Sequence, residues 1–293
     1  MMSDSIELLT ESKAELGEGP SWDSRSNVLY WVDIQGGNVH VYKPNNGKDT
    51  VIHTGGYVSS VVPRKSGGVL ITLQHGFYSL DLKTHSVTLI REVEGDLVGN
   101  RFNDGKCDAY GRFWAGTMSI GESNSTGALY YLASDHSVTK VLSGISISNG
   151  LGWSPDNSTM YYIDTPTRRV AAFDFDLKSG EINNKRTVVD FSDQAGNPDG
   201  MAVDREGMIW VAHWGGSMVS RWNPWEGEAL DRIIVPAMYV TSCCFGGKNL
   251  DELYITTART GPDPRALSKY PHSGHLFRAK VKVGGLPTYS FIG

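Results

Sequence analysis

The chain has 293 residues, 40 % of them hydrophobic and 20 % charged, enough apolar material for one large core. A net charge of −5 built from interspersed acids and bases, with no basic stripe, argues against a nucleic-acid partner. No stretch approaches the roughly 18 apolar residues of a membrane span, so no membrane partner is expected.

The N-terminus, MMSDSIELLTESKAELGEG, is acidic where a secretion signal needs a basic start and an apolar run. The cysteines, Cys107, Cys243 and Cys244, are odd in number and form no CxxC, which fits a reducing compartment better than a disulfide framework. A cytoplasmic location is therefore expected, with the sequons at Asn124 and Asn157 read as polar turns. The 34 glycines, 8 tryptophans and 13 tyrosines favour short strands and tight turns over helices.

Taken along the chain, one pattern recurs six times: a small polar stretch, a short apolar strand, a turn rich in Asp, Asn or Gly, then an aromatic strand. The copies are GEGPSWDSRSNVLYWVDI at Glu18, SSVVPRKSGGVLITL from Ser59, NDGKCDAYGRFWAGTM from Asn103, NGLGWSPDNSTMYYIDT from Asn149, DGMAVDREGMIWVAHW from Asp199 and TSCCFGGKNLDELYITTA from Thr241. Each is followed by a third strand signal (VHVYKP, FYSLDL, ALYYLA, VAAFDF, MVSRWNP, HLFRAKV), and further apolar segments such as TVIHT and RTVVDF lie between copies. Four short strands in roughly 40 to 50 residues is the signature of a propeller blade. The predicted fold is all-β: a single six-bladed β-propeller domain over residues 1–293 with a central metal-binding channel. SIELLTES, ahead of the first copy, is placed to add a strand to the last blade and close the ring. A β-sandwich or a two-domain all-β protein is the alternative, and the register maintained through every copy speaks against it.

The first strand of a propeller blade lines the channel, so equivalent positions form a ring: Glu18, Ser59, Asn103, Asn149, Asp199 and Thr241. Acids and amides converging there would repel or go unsatisfied unless something binds between them. A hard divalent cation held by Glu18, Asn149 and Asp199, with coordination positions left open, is one reading. Polar side chains that merely cap strand ends and hydrate the channel mouth are the other.

These residues also carry a resemblance. LGEGPSWD with LYWVDI, RFNDGKCDAYGRFWAGTM, SNGLGWSPDNSTMYYIDT, NPDGMAVDREGMIWVA and VTSCCFGG resemble, in order, the signatures of the senescence marker protein/regucalcin, gluconolactonase and luciferin-regenerating enzyme family. The resemblance spans about residues 14 to 280. It implies a six-bladed propeller with one divalent metal (calcium, zinc, manganese, magnesium or iron) on Glu18, Asn149 and Asp199. It also implies substrate contacts from Arg101 and Asn103, and Asp199 as the catalytic base. The implied activity is hydrolysis of a small-molecule sugar lactone, in which the metal polarises the carbonyl and Asp199 assists attack by water. Mammalian members carry an acidic pair soon after G-T-M; here Gly116-Thr117-Met118 is followed by Ser-Ile-Gly-Glu, leaving Glu122 as the candidate substrate contact. The alternatives are a calcium-binding regulatory protein, a related esterase or organophosphatase, and a scaffold for protein partners. No GxSxG, HExxH or P-loop pattern is present. His213 is read as a packed histidine, Trp31, Trp114 and Trp210 as core, and Asp33 and Asp164 as acceptors for turn amides.

Overall fold

The computed structural model describes residues 6–122, 124–261, 263 and 265–293. Among these, the strands form five hydrogen-bonded sheets, and the only helical elements are a single 3-10 turn, Thr165–Thr167, and one α-turn, Ala266–Lys269. Among the described residues, no helix is long and apolar enough to cross a membrane.

Four sheets are four-stranded antiparallel meanders, each holding one copy of the sequence repeat. The first runs Gly17–Asp23, Val28–Asp33, Asn38–Lys43 and Lys48–His53; the next three begin with Val58–Pro63, Asn100–Cys107 and Ser148–Trp153. The fifth sheet has eight strands and holds the last two copies, beginning with Asn197–Val203 and Tyr239–Gly246. Its two halves meet through the pairing of Trp214 with Tyr239, whose rings pack 4.6 Å apart. The last copy lacks a fourth strand of its own. Ile6–Leu8 supplies it, pairing antiparallel with Phe277–Lys280 as Ile6 with Ala279 and Leu8 with Phe277. The expected role of SIELLTES is met, and the two ends of the chain are tied into one sheet, which covers an otherwise open edge.

Burial falls from the first strand to the fourth of each unit. Gly17–Asp23 and Ser148–Trp153 are buried throughout, whereas Ile182–Asp190 and Glu228–Ile234 are mostly exposed. The first strands pack on one another in order, and Tyr239–Gly246 packs back on Gly17–Asp23, closing a ring. Apolar clusters fill the spaces between neighbouring sheets, as where Val32, Val39 and Val41 meet Val58, Val61 and Ile71. Trp31 and Trp114 are fully buried, and Trp210 nearly so, as expected of core positions. The arrangement is all-β and consistent with a propeller.

Two further features position the site, one repeated in every copy and one outside the repeat. Each first strand carries a register shift against its second strand, at Glu18/Ser21, Val58/Ser60, Phe102/Gly105, Asn149/Leu151, Pro198/Met201 and Val240/Ser242. A bulge bends the strand and re-aims a side chain, and here it recurs at the ring residues themselves. The C-terminal segment crosses the far end of the ring, where Phe291 bridges Arg64 and Gly285 bridges Asp204.

Candidate active site

Glu18, Arg101, Asn103, Asn149 and Asp199 lie on four different first strands yet line one pocket at one end of the ring, together with Glu122 and Thr165. All five of the residues singled out from sequence are at most 9 % exposed. Glycine makes this convergence possible at two points. A Cβ on Gly200 would fall 2.1 Å from Ser242 Oγ, and one on Gly150 would fall 2.8 Å from the Asp199 carbonyl oxygen. The strands carrying Asp199 and Asn149 can therefore approach their neighbours only with glycine next in line.

Hydrogen bonds hold the neutral and cationic side chains. Arg101 Nη1 donates to the Phe102 carbonyl (2.9 Å) and to Asn103 Oδ1 (2.7 Å). Asn103 Nδ2 donates to the Ser148 carbonyl (2.8 Å) and lies 3.4 Å from Asn149 Oδ1. Asn149 Nδ2 donates to Thr165 Oγ1 at 2.9 Å. Upstream, Glu94 accepts from Asn100, Thr117 and Tyr130, bracing the strand that presents Arg101.

The acids are less fully held. Glu18 accepts one bond, from the Gly19 amide at 2.8 Å, and Asp199 Oδ1 has no hydrogen-bond partner among the described residues. Burial pushes the Glu18 carboxyl up to about 8, and the charge of Asp104 adds to this against the Gly19 amide, Arg101 and Lys106. Burial likewise holds Asp199 well above the usual carboxylate range, reinforced by the charges of Glu18 and Asp104 and opposed by the Asn149 side chain and the Gly200 amide. Asp104, next to Asn103 and also raised by burial, has one oxygen bonded by the Gly105 amide and the other without a partner among the described residues. Burial lowers Arg101, which faces Glu18, Glu122 and Asp199.

This donor set fits a hard divalent cation: two buried carboxylates that repel one another, only partly offset by Arg101, and one buried amide oxygen. It is not a cluster of three His, Cys, Asp or Glu ligands, and none occurs among the described residues. Of the other ring positions, Thr241 is satisfied within the protein, bonding the Gly17 carbonyl (2.6 Å) and Thr256 (2.9 Å). Ser59 Oγ has no partner among the described residues.

Glu122 lies at the pocket mouth with a left-handed backbone (φ 53°), its charge directed at Arg101. Its neighbour Ser123 lies outside the described residues. The pocket also contains residues that sequence reasoning missed, Thr165 and an apolar wall that includes Met118, Ile147 and Trp214, and the buried Asp104 acts on its acids by charge from just outside the lining. Asp104 stands within the RFNDG motif and Thr165 directly follows Asp164, but nothing in their local pattern marks them.

The readings of Asp33 and Asp164 as acceptors for turn amides and of His213 as a packed histidine hold. Asp33 accepts from the Glu15, Leu16 and Gly36 amides, and Asp164 from those of Ser146 and Ile147. His213 is buried, bonded to the Ala195 carbonyl (2.8 Å) and to Ser220 Oγ (2.6 Å). All three cysteines are free and buried. A second, largely apolar cavity, with Lys106, Trp153, Phe245 and Tyr289 in its lining, lies between the inner strands and the C-terminal segment.

The stacked meanders around a closed ring of strands, with a polar pocket at one end, are of the propeller class. A model of the SMP-30/Gluconolactonase/LRE-like region matches residues 16–259, and the chain belongs to that family. It is 39 % identical to a putative sugar lactone lactonase of Bacillus subtilis over 286 residues, 98 % of each chain. It is 42 % identical to regucalcin of Gallus gallus over 299 residues, covering both chains fully. Among solved structures, it is similar to luciferin-regenerating enzyme (TM-score 0.94, 34 % identity, 99 % of each chain). It is equally similar to a calcium-binding regucalcin of Agrobacterium tumefaciens (TM-score 0.94, 31 % identity, 99 % of this chain and 98 % of that one).

Proposed function

We propose that the chain is a metal-dependent sugar lactone hydrolase: a single six-bladed propeller over residues 1–293, acting in the cytoplasm on a small lactone. In this reading the eight-stranded sheet is two blades joined at Trp214 and Tyr239. Glu18, Asn149 and Asp199 hold one divalent cation of the calcium, zinc, manganese, magnesium or iron group. The observation that carries the proposal is the buried Asp199 carboxylate, whose Oδ1 has no partner among the described residues, in one open pocket with the buried Glu18 whose charge acts on it. The likeness to a putative sugar lactone lactonase supports the substrate class, and the three free buried cysteines fit the compartment.

Bound there, a divalent cation supplies Lewis-acid polarisation of the lactone carbonyl and charge stabilisation for the oxyanion. The chain does the rest. Asp199 Oδ1, free of protein donors, accepts a proton from the attacking water as its oxygen bonds to the carbonyl carbon. The ring C–O bond then breaks, and the proton passes to the departing ring oxygen, giving a hydroxy acid. Arg101 is anchored through Nη1, which leaves its other N–H groups to orient lactone hydroxyls, with Asn103 fixing its pose. The wall of Met118, Ile147 and Trp214 limits water at the reacting centre.

The test is a panel of aldonolactones assayed on metal-stripped protein with each divalent ion returned separately. Hydrolysis restored by at least one ion is expected. A second reading, a calcium-binding regulatory protein, draws on the likeness to calcium-binding regucalcin. Tight calcium binding with no hydrolysis of any lactone would select it.

A further inference from the structure

Asn149 is the one neutral member of the proposed ligand set, and an amide is a ligand only when its oxygen, not its nitrogen, faces the cation. A carboxylate presents oxygen on both arms, whereas an amide must be turned. The structure contains a device that turns it.

Thr165 follows the strand Thr159–Asp164 and is 9 % exposed. Its backbone is fixed by two bonds: its amide donates to the Ile147 carbonyl (3.1 Å), and its carbonyl accepts from the Arg168 amide (3.0 Å). Its side chain bridges two neighbouring first strands. Thr165 Oγ1 donates to the Pro198 carbonyl at 2.9 Å and accepts from Asn149 Nδ2 at 2.9 Å. The polarity of this relay admits one arrangement. A carbonyl only accepts, so the single hydroxyl proton of Thr165 is committed to Pro198. Toward Asn149 the hydroxyl then has only a lone pair to offer, and it must meet the amide nitrogen. Asn149 Oδ1 is thereby turned the other way, toward Asn103 Nδ2 at 3.4 Å and into the pocket. The carbonyl that sets this polarity belongs to the residue before Asp199, so the same hydroxyl also ties the Asn149 strand to the Asp199 strand.

We propose that Thr165 is a positioning residue: through the Pro198 carbonyl it fixes the polarity of the Asn149 amide, so that an oxygen rather than an NH2 group is presented to the cation. The proposal rests on the metal-site reading given above. It differs from a packing role in one respect, because it depends on the hydroxyl and on Asn149 being an amide.

The experiment is calorimetric titration of metal-stripped full-length protein with calcium, manganese and zinc in turn, together with the apo melting temperature. Thr165→Val keeps the branched shape and removes the hydroxyl; it should weaken the Kd by about 10- to 100-fold, the scale of an outer-shell partner of a metal ligand. Thr165→Ser restores the hydroxyl and should return the Kd to within roughly threefold of wild type on the same scale. If the valine variant does not fold, Thr165→Ala against Thr165→Ser makes the same comparison. The decisive arm repeats Thr165→Val on an Asn149→Asp background. A carboxylate has no wrong face, so the penalty there should shrink to a few-fold. An equal penalty on both backgrounds would assign Thr165 to packing and overturn the proposal. A valine variant that binds with the wild-type Kd would overturn it while leaving the metal reading intact. Wild-type protein that binds none of the three ions would sink both together.

Discussion

Two sets of buried acids lie on the first strands or just past their ends and are treated in opposite ways. Asp108 and Asp204, each one residue past the end of its strand, are fully buried and fully partnered. Asp108 accepts from the Arg112 amide (3.0 Å), Arg112 Nε (2.7 Å) and Trp114 Nε1 (2.7 Å). Asp204 accepts from Trp210 Nε1 (3.0 Å), Arg221 Nε (2.7 Å) and the Glu206 and Met208 amides. Each of these acids has its own cation and its own indole within one sheet, so the charge is neutralised inside a blade-sized unit. Glu18, Asp104 and Asp199 are buried to a similar degree, but they face across the axis toward one another with bonding capacity to spare. A buried acid with its own hydrogen-bonded guanidinium is part of the architecture; buried acids that outnumber the single guanidinium near them, Arg101, and have no hydrogen bond to it mark where an external cation is wanted.

The sharpest way to break this comparison is to delete one acid of each kind. Asp199→Ala should lower lactone kcat/KM by about 100- to 10,000-fold, the range for a lost general base, in a protein that still folds. Asp108→Ala should do the reverse. Leaving Arg112 buried and unpaired costs about 3–5 kcal/mol, read as a large drop in chemical-denaturation midpoint. Asp199→Asn, by removing a repelling charge, should leave metal-free protein at least as stable as wild type. If Asp199→Asn and Asp108→Ala were equally destabilising, the distinction between the two sets would fail.

A smaller effect should appear in the pH dependence of metal-free protein. The folded-state value of Glu18 is raised from 4.5 to about 8, so between those values the folded state binds the proton and the unfolded state does not. The stability from the protonated group is complete below the unfolded value, and it is lost as pH rises through the folded one. Stability should therefore fall between about pH 4.5 and 8, by up to about 1.4 kcal/mol per pH unit for one proton. Glu18→Gln should make that slope shallower in thermal melts taken across the range, the remainder coming from Asp199 and Asp104. A slope as steep in the variant as in wild type would assign the proton to another group.

Much of this was legible in the sequence because it repeats. The alternation of strand and turn recurs with each copy, and the ring residues share one offset, so Glu18, Asn149 and Asp199 could be set side by side before any coordinates. Asp33, Asp164 and the three core tryptophans were readable for the same local reason. What stayed hidden depends on pairings between distant segments. The bulges that aim the ring residues are a property of two strands together. Thr165 acts through Pro198, and its bond exists only once two neighbouring sheets are packed. The crossing of the C-terminal segment at Arg64 and Asp204, and the joining of two repeats at Trp214 and Tyr239, have no periodic signal at all.

The smallest expected effect concerns Glu122, which differs from both sets of acids in being exposed. It lines the pocket mouth, and its charge acts on Arg101 across a solvent-accessible gap. Water screens that interaction, so its strength belongs with exposed ion pairs and not with buried ones. Its left-handed backbone (φ 53°) also means that substitution by another L-residue keeps the existing strain, so Glu122→Gln isolates the charge. That variant should raise KM roughly fivefold, equivalent to ~1 kcal/mol, and leave kcat within about twofold, the pattern of lost uniform binding. The KM shift should shrink as salt is raised, because screening already weakens the wild-type interaction. A fall in kcat at unchanged KM would instead place Glu122 at the reacting bond, and the boundary between binding rim and catalytic floor would have to be redrawn to include it.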